Sequence, residues 1–157
     1  MVRRVLLIAF HFPPARGSSG LLRTVKFAEF LPRHGWECDV LTATPNAYPA
    51  RSAAASALPT NASVTRSFAL DAARHLGVAG RYPRCFGWPD RWGSWCLTAI
   101  PRGLALIRRH RPQVLWATFP IASTVLIGLE LARRTGLPLV CDLRDPMSEP
   151  EFPEDPR

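Results

Sequence analysis

The sequence predicts an α/β fold with a Rossmann-like, doubly wound parallel sheet of about five strands. Short apolar runs alternate with amphipathic helical patterns, as expected when helices connect parallel strands. The first run, 5–10, is apolar at every position, which is typical of a strand covered on both faces. With 157 residues, 47% of them hydrophobic, the chain is long enough to build one domain with a substantial core.

The first half of the chain is predicted to hold three strands and one helix. The helix follows the strand at 5–10 and ends near Gly35, and Pro32 is unusual in its last turn because the proline ring crowds the preceding carbonyls. The second strand is predicted at 38–42 and a weaker third strand at 63–70, with a surface loop between them. The helical spacing is carried by Leu21, Val25, Ala28 and Leu31.

The second half is predicted to add two helices and two strands. An irregular stretch over 71–92 leads into a helix that Pro101 bends or delays. Strands are predicted at 114–117 and 137–141, with Pro120 in the first turn of the helix between them. The helix before the fourth strand is defined by Leu97, Ile100, Leu104 and Ile107. The helix after that strand is predicted to point Val125, Leu126, Leu129 and Ala132 inward.

Residues 1–147 are predicted to form this domain, and residues 148–157 a tail rich in proline and acidic residues that cannot continue a core. The 18 residues 112–129 carry no charge, which raises the question of a membrane span. Pro120 near the middle and several polar residues favour a buried strand followed by a helix instead.

Composition excludes disordered chains and small disulfide scaffolds. The four cysteines lie far apart without a C-x-x-C pair, so they predict neither a zinc site nor a redox motif, and we expect reduced thiols in a cytoplasmic protein. No metal and no cofactor are expected. The 20 basic and 12 acidic residues give a net charge of +8, which attracts phosphates, anionic lipids or nucleic acid.

Three loops stand where a doubly wound sheet binds its ligands. If the strand order is three-two-one-four-five, the topological switch lies between the first and fourth strands, and ligands bind outside the carboxyl ends of strands at such a switch. The loops that follow these strands and the fifth strand are 11–20, 118–121 and 142–147.

Loop 11–20 opens directly onto the first helix. Gly17, Ser18, Ser19 and Gly20 offer backbone amides and small hydroxyls at a helix N-terminus, where the helix dipole favours negative charge. Arg23, one turn into the helix, is placed to add a charged fork to the same phosphate. The alternative interpretation is a capped helix start with a flexible loop.

The other two loops carry polar groups with two interpretations each. Arg144 and Asp145 follow the fifth strand after Asp142, and they either contact a ligand or pair with each other before Pro146. Thr118 either supplies a hydroxyl to the site or caps the next helix. His11 is a candidate acid–base group because its unperturbed pKa is near 6.5, although a loop histidine is more often structural.

Two further segments are basic. Residues 81–96 interleave tryptophans with arginines, a pattern suited to bases, sugar rings or lipid, although packing of the loop against the sheet is the simpler interpretation. Arg108, Arg109, His110 and Arg111 end the helix that precedes the fourth strand, where the dipole favours positive charge. A membrane-surface patch is the alternative there.

Four stretches resemble the N-terminal part of family 4 glycosyltransferases, which have the GT-B fold. They span almost the whole chain in the order of the family. These stretches are V-L-L-I-A-F-H-F-P-P with G-S-S-G-L-L-R, then F-A-E-F-L-P-R-H-G-W-E-C-D-V-L-T, then R-P-Q-V-L-W-A-T-F-P-I-A-S-T, and finally G-L-P-L-V-C-D-L-R-D-P-M.

The resemblance implies half of a GT-B fold, the acceptor-binding domain of a retaining glycosyltransferase. It implies a nucleotide-sugar donor held mainly by a C-terminal domain that this sequence lacks, so we expect no activity from the chain alone. The glycine-rich loop would approach the donor phosphates through Gly17, Ser18, Ser19, Gly20 and Arg23. Arg144 and Asp145 would touch the transferred sugar, and the acceptor would be a glycan or lipid-linked molecule.

The alternative function is a non-catalytic basic module that docks to an anionic membrane or a partner chain. Its location would be cytoplasmic, or peripheral on the inner face of the membrane. Binding to nucleic acid is suggested only by the high pI and is not expected, since no nucleic-acid-binding motif is present.

Overall fold

The described residues fold around a parallel five-stranded sheet. A computed structural model describes residues 3–17, 19–52, 62–77, 82–83 and 87–143. The strands are β1 (Arg3–Ile8), β2 (Trp36–Ala43), β3 (Ala62–Ser67), β4 (Val114–Thr118) and β5 (Leu139–Asp142). Their spatial order is β3-β2-β1-β4-β5, and every neighbouring pair is parallel. The predicted α/β class and strand order are therefore confirmed, while the predicted tail over 148–157 lies outside the described residues.

Within the described ranges, four α-helices accompany the sheet: α1 (Ser19–Phe30), α2 (Ala72–His75), α3 (Trp95–His110) and α4 (Ala122–Thr135). The short α2 lies within the stretch predicted to be irregular, and Asp71 caps it by accepting a hydrogen bond from the Ala73 amide at 3.2 Å. After α1, the chain tightens into a 3₁₀ turn that contains Pro32 and ends at Gly35, whose φ is +77°. The proline thus lies outside the α-helix, which removes the predicted conflict.

Alternate residues of the buried strands face two different layers. Leu6 and Ile8 of β1 pack with α3 and α4, whereas Val5 and Leu7 pack with Ala28 of α1. The helices therefore lie on both faces of the sheet, as a doubly wound topology requires. Pro120 precedes α4 by two residues rather than standing in its first turn, which corrects the prediction for that residue.

The predicted inner faces of α3 and α4 are partly confirmed, since Ile100, Leu104, Ile107 and Ala132 pack against the core. Leu97 is 80% exposed and Leu129 is 50% exposed. Glycines on the true inner faces let the helices approach closely: a Cβ on Gly103 would lie 2.6 Å from Cδ1 of Leu131. Small residues therefore belong to these inner faces together with large apolar ones. The buried residues are Trp95, Ala99, Gly103 and Leu106 on α3, and Ser123, Thr124, Ile127, Gly128 and Leu131 on α4.

The uncharged stretch 112–129 divides into β4 and the first half of α4, as predicted. Among the described helices, none combines the length and the apolar character that crossing a bilayer requires. The three described cysteines, Cys38, Cys96 and Cys141, are all free thiols. Burial raises the pKa of the Cys38 thiol to about 12, which keeps it protonated and unreactive at neutral pH.

Candidate functional site

The polar residues singled out in the sequence gather at the carboxyl edge of β1, β4 and β5. β4 pairs with both β1 and β5, and Thr118 lies opposite Asp142 in the register. The loop that follows β1 carries His11 and runs on to the start of α1. This edge is the topological switch, because the chain leaves β1 toward β2 on one side and leaves β4 toward β5 on the other.

The entry into α1 is shaped by Gly17. Its φ of +82° lies in the left-handed region, which a residue with a Cβ adopts only with strain. No heavy atom lies within 4 Å of the position that a Cβ would occupy there, so the glycine serves the backbone conformation and leaves open space beside it. Gly20 is buried in the first turn of α1, where its carbonyl accepts a hydrogen bond from the Thr24 hydroxyl at 3.0 Å. Ser18 lies outside the described residues, and α1 begins at Ser19.

Asp142 joins the first helix to the fourth strand. Its Oδ1 accepts a hydrogen bond from Nη1 of Arg23 at 2.9 Å, and its Oδ2 accepts one from the Thr118 hydroxyl at 3.3 Å. The Arg23 side chain is 49% exposed, whereas that of Asp142 is 13% exposed. The sequence predicts that Arg23 faces a phosphate directly; in the structure a carboxylate of the same edge positions it. No local pattern indicates this pair, since 119 positions separate the two residues.

Thr118 does not cap α4, so the interpretation of this residue as a helix cap is wrong. The N-cap residue of α4 is Ile121, and it makes no side-chain cap. Instead the carboxylate of Asp90 occupies this helix start: Oδ2 accepts from the Ser123 amide at 2.6 Å and Oδ1 accepts from the Ser123 hydroxyl at 2.8 Å. Oδ1 also accepts from the Trp92 amide at 2.9 Å. The first turn of α4 is therefore already bound by an anion of the protein.

A pocket of about 420 Å³ opens beside the glycine entry to α1. Two strand-like hydrogen bonds fix its walls: the Arg16 amide donates to the Ala50 carbonyl at 3.1 Å, and the Ser52 amide donates to the Pro14 carbonyl at 3.0 Å. The pocket offers an imidazole, a guanidinium and apolar surface, a mixture suited to a polar ligand with a carbon skeleton. Its lining residues are His11, Ala15, Arg16, Gly17, Tyr48, Pro49 and Ala50.

His11 and Tyr48 are held in the walls of this pocket by aromatic packing. The His11 ring lies edge-on to Phe10, with ring centroids 5.3 Å apart, and 6.2 Å from the Trp92 ring. The Tyr48 ring also lies edge-on to Phe10, with ring centroids 5.6 Å apart. Burial raises the pKa of Tyr48, whose hydroxyl lies 3.0 Å from the Thr42 hydroxyl. The tyrosine is therefore a neutral wall of the pocket.

The described part of the aromatic and basic segment packs largely as the simpler interpretation predicts. Trp92 lies 4.7 Å from Phe10 between ring centroids, and buried Trp95 donates to the Ser67 hydroxyl at 2.8 Å. Arg91 forms an ion pair with the fully buried Asp71, which raises the pKa of Arg91. Trp88 departs from this pattern, because it is 76% exposed.

The site therefore unites Gly17, Gly20, Arg23, Thr118 and His11 at one edge of the sheet. Arg144 and Asp145, predicted to contact a sugar, lie outside the described residues, so the structure does not test them. Three further residues belong to the site. Asp142 and Arg16 lie in the loops predicted to bind a ligand, although they are not among the predicted site residues, and Asp90 lies outside those loops. Within the described ranges, no cluster of three or more His, Cys, Asp or Glu side chains is arranged to hold a metal ion.

The arrangement is suited to binding an anion beside a polar ligand. Backbone at a helix start and an arginine favour a phosphate, while the adjoining pocket has room for a second group. A comparison with protein-family models and with curated proteins found no match to this chain.

Proposed function

We propose that this chain is the acceptor-side domain of a retaining glycosyltransferase, as its resemblance to family 4 implies. The observation that supports this most strongly is the position of the loop at Gly17 and of Arg23. Both belong to the segment that follows β1 at the topological switch of a parallel sheet, and Gly17 lines an open pocket. Sugar nucleotides carry a diphosphate and polar rings, which match these two neighbouring features.

The chemistry of such a domain would be mainly electrostatic. Backbone amides at the start of α1 and the Arg23 guanidinium would stabilise the diphosphate that leaves the sugar. Asp142 holds Arg23 at this edge before a ligand arrives, and a diphosphate oxygen would take its place on the arginine. Because the donor would be held mainly by a second domain, this domain by itself would bind a nucleotide weakly.

The pocket beside Gly17 is our candidate for the acceptor, a glycan or a lipid-linked molecule. Its imidazole and guanidinium provide hydrogen-bond donors for hydroxyl or phosphate groups, and Ala15 and Pro49 provide apolar contact. The predicted contacts of Arg144 and Asp145 with the transferred sugar remain part of this proposal. So does a location in the cytoplasm or at the inner face of the membrane.

Binding of a nucleoside diphosphate tests the phosphate assignment. We expect titration with uridine or guanosine diphosphate to shift amide resonances of residues 17 and 20–23 in NMR spectra of the whole chain. Arg23→Ala is expected to weaken this binding at least tenfold, since a hydrogen bond from a charged group contributes about 1.5–3 kcal/mol.

Lys26→Ala is the matched control for Arg23→Ala. Lys26 also lies on α1 and also pairs with a carboxylate, Glu29 at 2.8 Å, but one turn farther from the helix start. Its loss should leave binding unchanged. Equal affinities of wild type and Arg23→Ala, or shifts confined to the distant α3 helix, would refute the assignment of this loop to phosphate.

A further inference from the structure

The outer side of α3 is apolar where a solvent-facing helix is normally polar. Successive residues of a helix are about 100° apart, so Leu97, Pro101 and Arg108 share one face within about 40°. Leu97 is 80% exposed, and Pro101, Ala105 and Arg108 are exposed as well. The opposite face, which includes Trp95 and Leu106, is buried against the sheet. The first half of α3 is thus apolar on both sides.

Two exposed aromatic residues, Phe68 and Trp88, also adjoin the first turn of α3. The Thr98 hydroxyl donates to the Phe68 carbonyl, which brings Phe68 beside the helix; its side chain is 50% exposed. A Cβ on Gly93 would lie 2.5 Å from the Trp88 carbonyl oxygen, so the backbone of Trp88 lies against the turn just before Leu97. We call this region the α3 surface: Phe68, Trp88, Leu97, Pro101, Arg102, Ala105, Arg108 and Arg109.

The charge of the α3 surface has one sign. No acidic residue occurs from Arg91 to Leu129 in the sequence. Within the described ranges, Arg102, Arg108 and Arg109 take part in none of the ion pairs. Three nearby carboxylates are engaged with groups of the protein: Asp71 by Arg91, Asp90 by the start of α4, and Asp39 by His110 at the end of α3.

We propose that the α3 surface binds the phospholipid headgroups of an anionic membrane. Trp88 and Leu97 would enter the interfacial layer, where aromatic and aliphatic side chains are favoured next to headgroups. Arg102, Arg108 and Arg109 would contact lipid phosphates. On α3, Arg108 lies on the face of Leu97 and Pro101, whereas Arg102 and Arg109 lie about 120–140° around the helix from Leu97, on its flank. A lipid surface uses both exposed aliphatic groups and arginines, whereas a nucleic acid uses only the charges and the exposed ring. A second copy of the chain would meet a surface of the same sign and be repelled.

This surface is separate from the proposed phosphate site, because it uses none of its residues. It nevertheless starts at the same edge of the sheet, since Trp92, just before α3, packs on Phe10 at the end of β1. The two proposals can be tested independently, since vesicle binding needs no nucleotide and nucleotide binding needs no lipid.

Co-sedimentation of the whole chain with lipid vesicles is the experiment. We expect binding to vesicles made of equal parts phosphatidylcholine and phosphatidylglycerol, little binding to phosphatidylcholine alone, and release when salt is raised from about 0.1 M to about 1 M. Arg108→Gln with Arg109→Gln should weaken binding about 30-fold, at roughly fivefold for each arginine. Leu97→Ser with Trp88→Ser should weaken it at least tenfold.

Matched controls lie on the opposite side of the molecule. Arg3→Gln with Arg33→Gln removes two exposed arginines near α1 and its following turn, and Leu22→Ser removes a 67% exposed leucine of α1. These variants should bind vesicles like the wild type. Circular dichroism should show that all variants are folded, because every substituted side chain is on the surface.

Several results would overturn the proposal. One is equal binding to neutral and anionic vesicles; another is equal loss of binding in the α3-surface variants and the controls. A third is binding of an RNA or DNA oligonucleotide through Arg108 and Arg109 with no vesicle binding, which would assign the surface to nucleic acid. Loss of vesicle binding in the arginine variant but not in the Leu97 and Trp88 variant would reject insertion at the interface.

Discussion

Two helices that begin near the topological switch, α1 and α4, differ in the anion that reaches their first turns. The start of α4 is bound by Asp90, whose carboxylate accepts three hydrogen bonds from Ser123 and Trp92. The first turn of α1 has no acidic residue, and the entry to this helix is a glycine with open space beside it. The carboxylate that meets α1, Asp142, is bound by Arg23 of the second turn.

This difference indicates where a ligand anion can be accommodated. At α4 an incoming phosphate would have to displace a carboxylate that neutral donors hold tightly. At α1 it would exchange with Asp142 on a half-exposed arginine, a contact that solvent already weakens. The same fold thus uses one helix dipole for its own stability and leaves the other in a position to act on a substrate.

Removing the carboxylate at α4 should have the largest effect on stability. Asp90→Ala leaves the amides of Trp92 and Ser123 without their acceptor, and we expect the free energy of unfolding to fall by about 2–3 kcal/mol. Urea denaturation followed by circular dichroism measures this change.

Asp90→Asn keeps one acceptor oxygen but loses the charge and the second acceptor, because both carboxylate oxygens accept hydrogen bonds. Its expected cost is about 1–2 kcal/mol, less than that of Asp90→Ala. If Asp90→Ala changed the free energy of unfolding by less than about 0.5 kcal/mol, Asp90 would be a surface residue of no importance to α4 and the contrast between the two helices would fail.

At α1 the corresponding change is Gly17→Val, which should cost about 1–2 kcal/mol because the φ of +82° is unfavourable for a side chain with a Cβ. Since no atom crowds the Cβ position, the cost comes from the backbone alone. Gly17→Asn should be much milder, as asparagine tolerates the left-handed region. Urea denaturation of both variants measures the difference.

The two Gly17 variants also test whether a diphosphate approaches the backbone at this position. If the loop binds a diphosphate, Gly17→Val should weaken nucleotide binding more than Gly17→Asn does, measured by the same NMR titration. Unchanged binding in both variants would mean that the anion does not approach the backbone at Gly17.

Local patterns predicted the fold well because each of them depends on neighbouring residues. The continuous apolar run of β1 and the stop at Gly35 are set within a few residues, and the structure confirms both with small shifts of the boundaries. Hydrophobic spacing failed for Leu97 and Leu129, because the close approach of α3 and α4 selects glycine and small residues for the inner face.

The site was predicted less completely, for a related reason. The loop composition pointed to Gly17 and Arg23, since both belong to one short segment. The partners that hold the edge together come from far along the chain: Asp90 is 33 positions from Ser123, and Asp142 is 119 positions from Arg23. A single sequence contains no local signal for such pairs, whose formation depends on the order of the strands.

The smallest expected effect concerns the far ends of the same two helices. Near the end of α4, hydrogen bonds from Arg133 and Arg134 lower the pKa of Glu130 from 4.5 to about 2. Near the end of α1, Lys26 lowers the pKa of Glu29 in the same direction, with one hydrogen-bonded cation in place of two. A carboxylate near a helix C-terminus is unfavourable by itself because of the helix dipole. Each glutamate therefore stabilises the fold only through the cations that bind it.

Glu130→Gln should therefore destabilise the chain slightly at neutral pH, and less in acid. A carboxyl whose pKa is lowered in the folded state stabilises above its unfolded value and loses that contribution as the pH falls through the folded value. The difference in urea midpoint between wild type and Glu130→Gln should thus be full above pH 4.5 and shrink toward about pH 2. Glu29→Gln, the matched change on α1, should show a smaller difference at every pH. A larger loss of stability in Glu29→Gln than in Glu130→Gln would mean that the second cation beside Glu130 adds no stability. The two helices would then differ only at their first turns, at the carboxyl edge of the sheet.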